Sequence, residues 1–304
     1  MSVRFCGLEL AHPVINASGT FDLLAARAAF GEDALMAQLP FAAFVSKTVT
    51  LQPRPGNPAP RLWEAPAGLV NSIGLPNRGI DGYLADELPQ IAALLERCGA
   101  PLITNVMGST AAEIAALLQR CEERPEIAAL ELNVSCPNVK TGLDIGADPA
   151  VLQAVLGEVR PATGKPLIVK LTPNTADVAA CARAAQDGGA DAVSLINTLR
   201  AAALVPDVQK PSPPHARART QEGARALWLG GGTGGLSGPA IRPVALAQVA
   251  AVVAAVEIPV IGMGGVQNAH HARDLLDAGA TLVAVGTESF RDPLAGLHIA
   301  RELV

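Results

Sequence analysis

No Cys-x-x-Cys pair occurs in the 304 residues; the five cysteines stand apart at positions 6, 98, 121, 136 and 181. Such an odd, scattered set excludes a disulfide framework and offers no zinc or iron–sulfur ligand pattern, so a reducing compartment and no metal site are expected. Basic excess is lacking as well. The formal net charge is −5 and only 17% of residues are charged, which leaves no overall electrostatic footprint for nucleic acid or an anionic membrane. A membrane-spanning run is missing too: the longest apolar segment, residues 244–265, is interrupted by Gln248, Glu257 and Pro259 and divides into an amphipathic helix and a strand. The first ten residues show neither a basic n-region nor a long apolar h-region and alternate like a small β-hairpin; with no export signal, a cytoplasmic protein is expected. Finally, no GxGxxG opens the first helix, which argues against a doubly wound dinucleotide-binding sheet.

What the chain does have is a large apolar content, 50% of its residues, in a repeating pattern. Strand-like runs at 14–18, 44–48, 102–107, 130–135, 167–171, 192–197, 260–263 and 282–285 alternate with stretches of helical period such as 111–121, 149–159, 175–187 and 243–256. Eight βα units in one chain predict a (β/α)8 TIM barrel, here a single domain over 1–304 with an N-terminal β-hairpin.

Polar residues gather just past these strands. Ser18, Lys47 and Thr48, Asn105, Asn133, Lys170 and Thr172, Asn197 and Thr198, Gly264 and Gly265, and Gly286 and Thr287 all fall at strand ends. In a parallel barrel that end binds ligands, and glycines after strands seven and eight suit a phosphate held by backbone N–H groups. Taken singly, each has a plainer use as a turn or cap residue. The most pointed stretch is Glu131-Leu132-Asn133-Val134-Ser135-Cys136-Pro137-Asn138. Pro137 cannot donate to a ladder, so the strand is predicted to stop near Cys136 and leave the thiol at the catalytic end. Free cysteines are more often structural, and Cys6, Cys98, Cys121 and Cys181 are read that way, as are Trp63 and Trp228.

Four motifs in order, Asn71-Ser72-Ile73-Gly74-Leu75-Pro76-Asn77, Asn133 to Lys140, Gly234-Gly235-Leu236-Ser237-Gly238-Pro239-Ala240-Ile241 and Ile261-Gly262-Met263-Gly264-Gly265-Val266, together resemble the class 1 dihydroorotate dehydrogenases. The Asn-Val-Lys after Cys136-Pro137 is similar to the 1B branch. That resemblance implies FMN in the barrel and oxidation of (S)-dihydroorotate to orotate in pyrimidine biosynthesis. It also implies a homodimer joined to an electron-transfer subunit carrying FAD and a [2Fe-2S] cluster, a heterotetramer that delivers electrons to NAD.

By the same resemblance, Cys136 is the base for the C5 proton, and Lys47 contacts both substrate and flavin. Asn71, Ser72, Ile73, Gly74, Leu75, Asn133, Asn138, Asn197 and Thr198 hold the pyrimidine, whose ring offers N–H and C=O groups that an asparagine amide can match in one plane. Ser18, Lys47, Thr48, Asn105, Asn133, Lys170, Ile196, Gly238, Gly264, Gly265, Gly286 and Thr287 hold FMN, Lys170 beside the N1/O2 edge where charge gathers on reduction and the last four at the phosphate. A thiol of ordinary pKa, about 8.5, makes the rate expected to rise with pH.

The chain departs from the family pattern at 143–146, past Cys136, and at 199–233, read as an extended loop with four prolines and a basic stretch around His215, Arg217, Arg219 and Arg225. Alternatives are a class 1A homodimer using fumarate, a dihydropyrimidine dehydrogenase-like barrel, and a flavin-binding protein without turnover.

Overall fold

The structure is a computed structural model and describes residues 2–135, 145–205 and 226–303. In chain order the strands are β1 (Val3–Phe5), β2 (Leu8–Leu10), β3 (Val14–Asn16), β4 (Phe44–Val45), β5 (Leu62–Ala65), β6 (Gly68–Asn71), β7 (Leu102–Val106), β8 (Ile127–Asn133), β9 (Leu167–Lys170), β10 (Ala192–Leu195), β11 (Leu199–Ala201), β12 (Gly234–Ser237), β13 (Val260–Met263) and β14 (Leu282–Val285). Eight of them form one parallel sheet in the order β3-β14-β13-β10-β9-β8-β7-β4. Each strand lies beside its predecessor in sequence, so the sheet is the predicted (β/α)8 barrel.

The seam between β3 and β4 is closed by a side chain. Asn16 Nδ2 donates to the Val45 carbonyl at 2.7 Å, and Val45 N–H donates to Asn16 Oδ1 at 2.8 Å. A backbone bond from Ala42 N–H to the Val14 carbonyl, 3.0 Å, completes the closure. Asn16 thus stands in for the ladder that two short strands cannot make, since its amide offers one donor and one acceptor.

Strand sequences divide between two cores. Along β8, Leu130 and Leu132 face the helices while Ala129 joins Ile15, Ile103, Ile168, Ala192, Ile261 and Leu282 inside the barrel, the period-2 alternation of a strand. Phe5 and Leu10, from the β1–β2 hairpin, belong to this inner core and are 0% and 1% exposed. The hairpin therefore plugs the amino-terminal end, and the polar residues are left at the other.

Several helices begin where short polar side chains cap them. Thr110 accepts from Glu113 N–H while the Glu113 carboxylate accepts from Ser109 N–H, and Asp148 precedes a helix with proline in its first turn (Pro149–Val159). The helix expected over 175–187 runs Val178–Asp187 because Asp177 caps it and Thr175 bonds instead to the Ala147 carbonyl. The helix expected over 243–256 is Arg242–Val253.

Several strands are shorter than predicted. After Val45 the chain leaves β4, yet Ser46 and Val49 N–H still reach the Ile103 and Asn105 carbonyls, so 44–48 is an interrupted strand with Lys47 and Thr48 between the two bonds. The strand predicted over 130–135 starts earlier, at Ile127, and stops at Asn133. There the Asn133 amide oxygen takes the Ser135 N–H in a side-chain turn.

A second sheet was not foreseen. Strands β11, β12, β6 and β5 pair antiparallel in that order and stand beyond the carboxyl ends of β4 and β10. Residues 199–233, expected as a loop, in fact open with β11, and Leu204 and Leu227 form an isolated bridge. Its basic stretch at His215, Arg217, Arg219 and Arg225 lies outside the described residues. No helix among those described is long and apolar enough to cross a membrane.

Candidate active site at the carboxyl end of the barrel

The short, buried strands deliver their last inward residues to one mouth. Registers Asn105↔Glu131, Asn133↔Lys170 and Ser194↔Lys170 set these side chains side by side on β7 to β10. Lys170 is 5% exposed, and among the described residues its ammonium has no hydrogen bond or ion pair. An isolated buried ammonium is costly unless an anion or polar ligand meets it. Asn105 is fully buried; its Nδ2 donates to Glu131 Oε2 at 2.5 Å, and its Oδ1 has no partner among the described residues. Two unmet polar groups in one mouth mark a place for a ligand.

A polar chain runs beside them. Asn133 Oδ1 accepts from Ser135 Oγ at 2.8 Å, and Asn197 Nδ2 donates to the same hydroxyl at 2.8 Å. Asn133 Nδ2 reaches Thr48 Oγ1 at 3.4 Å. Ser18 Oγ donates to the Ser46 carbonyl. Thr48, Asn105, Asn133, Lys170 and Asn197 are therefore brought together, joined by Ile196, whose N–H bonds to the Met263 carbonyl.

The antiparallel sheet adds the next wall. Asn71 ends β6 opposite Gly235 and donates to its carbonyl at 3.3 Å. A side chain on Gly235 would strike Thr198 Oγ1, which places the 71–75 segment and Thr198 on either side of β12. Ser72 is wholly buried and takes a hydrogen bond from Asn57 Nδ2 at 3.0 Å; Asn57 N–H bonds to the Ile73 carbonyl. Leu75 follows Gly74 with φ +57°, a left-handed backbone that leucine rarely adopts, and Asn77 Nδ2 holds its carbonyl at 2.9 Å.

Across the mouth, Gly264 and Gly265 have φ +130° and +71°, conformations open to glycine. A Cβ on Gly265 would sit 2.9 Å from the Gly238 carbonyl, and one on Gly238 would sit 3.6 Å from Thr287 Cγ2. Three chain segments thus converge. None of the N–H groups of Gly238, Gly264, Gly265, Gly286 and Thr287 donates to a partner among the described residues, so this corner is a cradle of free donors suited to a phosphate.

Lys47 pairs with a carboxylate at the edge of this group. Its Nζ lies 2.7 Å from Asp22 Oδ2, with the side chain 53% exposed, so it leans outward over a cavity of about 420 Å³ walled by Phe21, Asn77, Tyr83 and Glu87. Burial opposes ionisation of Asp22, but its bonds from Lys47 and the Ala25 N–H prevail and hold the carboxyl below its usual pKa. Cys136 and Asn138 lie outside the described residues, as do 143 and 144 of the departing segment. Burial, aided by Asp191, pushes the Cys6 thiol up to about 11, and burial pushes Cys121 up to about 12; at neutral pH neither is a thiolate nucleophile or base.

Sequence reasoning passed over Ser135, Asn57, Glu131 and Ser194. Only Glu131 gave a signal, as a carboxylate set inside an apolar strand. Among the described residues, no cluster of His, Cys, Asp or Glu is arranged to hold a metal.

Fold and mouth define the class: a (β/α)8 barrel that gathers its ligand groups at the carboxyl ends of its strands. The family model described as dihydroorotate dehydrogenase matches residues 1–304, and the chain belongs to that family. It is 45% identical over 302 residues to the "Dihydroorotate dehydrogenase B (NAD(+)), catalytic subunit" of Pelobacter propionicus, covering 99% of this chain and 91% of the relative. Proteins of the same name from Desulforudis audaxviator and Citrifermentans bemidjiense are 44% and 42% identical, covering 99% and 100% of this chain and 91% and 92% of theirs.

Proposed function

We propose that this chain is an FMN-dependent dihydroorotate dehydrogenase of the B type, oxidising (S)-dihydroorotate to orotate in pyrimidine biosynthesis. Its partner would be an electron-transfer subunit with FAD and a [2Fe-2S] cluster that passes the electrons to NAD. The assembly is a heterotetramer around a homodimer, in the cytoplasm. The observation that carries this reading is end-to-end similarity to catalytic subunits of that name in a chain whose barrel mouth holds, at Lys170, a buried ammonium with no partner among the described residues.

The residues present fit FMN. Free N–H groups at Gly238, Gly264, Gly265, Gly286 and Thr287 suit its phosphate, the Asn105 Oδ1 orphan suits an imide N–H, and Lys170 suits a ring edge that gains negative charge on reduction. Ser18, Lys47, Thr48, Asn133 and Ile196 complete that set. FMN, when bound, supplies the acceptor for a hydride from substrate C6. The chain's own part is to hold the pyrimidine with Asn71, Ser72, Ile73, Gly74, Leu75, Asn133, Asn138, Asn197 and Thr198, and to take the C5 proton on the Cys136 sulfur. Lys47, once turned inward from Asp22, would meet the substrate carboxylate.

The test is anaerobic bleaching of the flavin-loaded chain by (S)-dihydroorotate. Wild type is expected to bleach fast and Cys136→Ser slower by about 10²-fold or more, in the range for loss of a general base. The wild-type rate is expected to rise with pH. NAD with the partner subunit should restore colour; restoration by fumarate alone would move the chain to a stand-alone route, and no bleaching at all would overturn the reaction.

A further inference from the structure

Glu131 is the one carboxylate inside the barrel among the described residues, 2% exposed, and no cation lies within ion-pairing distance of it. The inner layer beneath it is apolar, built of Ile103, Ala129, Ile168 and Ala192. By stability alone an apolar residue belongs at 131, because burying a carboxylate without a counter-ion costs several kcal/mol. Its two bonds explain what the carboxylate does. Oε1 accepts from Ser194 Oγ at 2.7 Å, and Oε2 accepts from Asn105 Nδ2 at 2.5 Å.

A carboxylate oxygen can only accept, so the amide of Asn105 has one admissible orientation: nitrogen toward Glu131 and oxygen away from it. That oxygen is buried and has no partner among the described residues. The Asn105 backbone is fixed independently by its N–H bond to Ser46 Oγ, 3.0 Å, so the amide cannot escape by moving the strand. We propose that Glu131 is a positioning residue: by locking the Asn105 amide, it makes the mouth read a ring N–H donor at that point and reject a ring lacking one. This rests on the reading that the chain holds FMN, whose isoalloxazine carries such an imide N–H at N3.

The experiment titrates the full-length apoprotein with FMN and with 3-methyl-FMN, in which N3–H is replaced by N–CH3, following flavin fluorescence and visible absorbance. Wild type should prefer FMN by about tenfold or more, the size set by leaving a buried acceptor unmet. A glutamine at 131 can donate as well as accept, which frees Asn105 to turn over. Glu131→Gln should therefore lose most of the preference, and Glu131→Asp, with its carboxylate drawn back by one methylene, should lose part of it.

A preference unchanged in whichever of these variants folds would overturn the proposal, as would a wild-type preference under about threefold. Both results leave FMN binding intact. Failure of wild type to bind FMN would instead strike the cofactor reading itself, so the two failures are distinct.

Discussion

At Lys170, stability and function pull in opposite directions. Its ammonium is buried with no partner among the described residues, an arrangement that disfavours the empty protein. Lys170→Met keeps the length and apolar stem while removing the charge. Urea unfolding of the apoprotein is expected to show the variant more stable by about 1–3 kcal/mol, while FMN binds more weakly and the bound flavin becomes harder to reduce because the cation opposite its developing charge is gone. A variant less stable than wild type in the apo state would mean that Lys170 serves the fold. Residues like this were readable in the sequence, since a lysine or asparagine closing an apolar strand is conspicuous. Glu131, Ser135 and Asn57 were harder to find. Their importance lies in which side chain they bond, and strands two apart in the barrel, such as β8 and β10, are far apart in the chain.

Titration adds a second residue-scale expectation. Burial, with the amino-terminal charge, depresses the His12 pKa, and burial, with Arg242 and His270, depresses that of His271, both below 6.5. In the unfolded chain each binds a proton near 6.5, so their contribution to stability is complete above that pH and declines as pH falls toward their folded values. Burial raises the Glu87 pKa and acts in the opposite sense at lower pH. Melting temperature should fall between pH 7.5 and 5.5, and His271→Gln should lessen that fall; an identical pH dependence in the variant would show that His271 plays no part in it.

At the scale of elements, the weak point is the seam between β3 and β4. Asn16 is 0% exposed, and its side chain meets both backbone groups of Val45. Asn16→Leu is nearly isosteric but leaves one buried N–H and one buried C=O unmet, each costing about 1–3 kcal/mol. A loss of about 2–5 kcal/mol is expected in urea unfolding, with retained β8 to β10 chemistry once the protein is folded. A loss below 1 kcal/mol would mean that the Ala42–Val14 bond alone closes the barrel. The eight parallel strands were legible because each is a continuous apolar run with a helix after it. The β5, β6, β11 and β12 sheet was not. Its strands are three or four residues long, and two of them, β6 and β12, begin with glycine, so neither period nor propensity separates them from loop, and the pairing of Asn71 with Gly235 that joins its two halves links residues far apart in the chain.

For the whole molecule, the barrel's two ends have opposite duties, and their separation gives a test. The β1–β2 hairpin seals one end with Phe5 and Leu10, while the other carries buried polar groups that lack partners among the described residues. Ligand and fold are then linked: a cofactor that binds only the folded chain adds RT ln(1 + [L]/Kd), about 2.7 kcal/mol at a hundredfold excess over Kd. Adding FMN to the apoprotein should raise its melting temperature with a logarithmic dependence on concentration. Gly265→Val should abolish that rise, because a Cβ at φ +71° would meet Arg242 Cβ at 2.8 Å and the Gly238 carbonyl at 2.9 Å, at the point where the three segments of the cradle converge. The same variant leaves the hairpin end and the inner apolar core untouched. If its apo form melts close to wild type yet gains nothing from FMN, the glycine corner belongs to the ligand; if FMN stabilises it as fully as wild type, the phosphate lies elsewhere in the mouth and the convergence at Gly238, Gly265 and Thr287 is architectural.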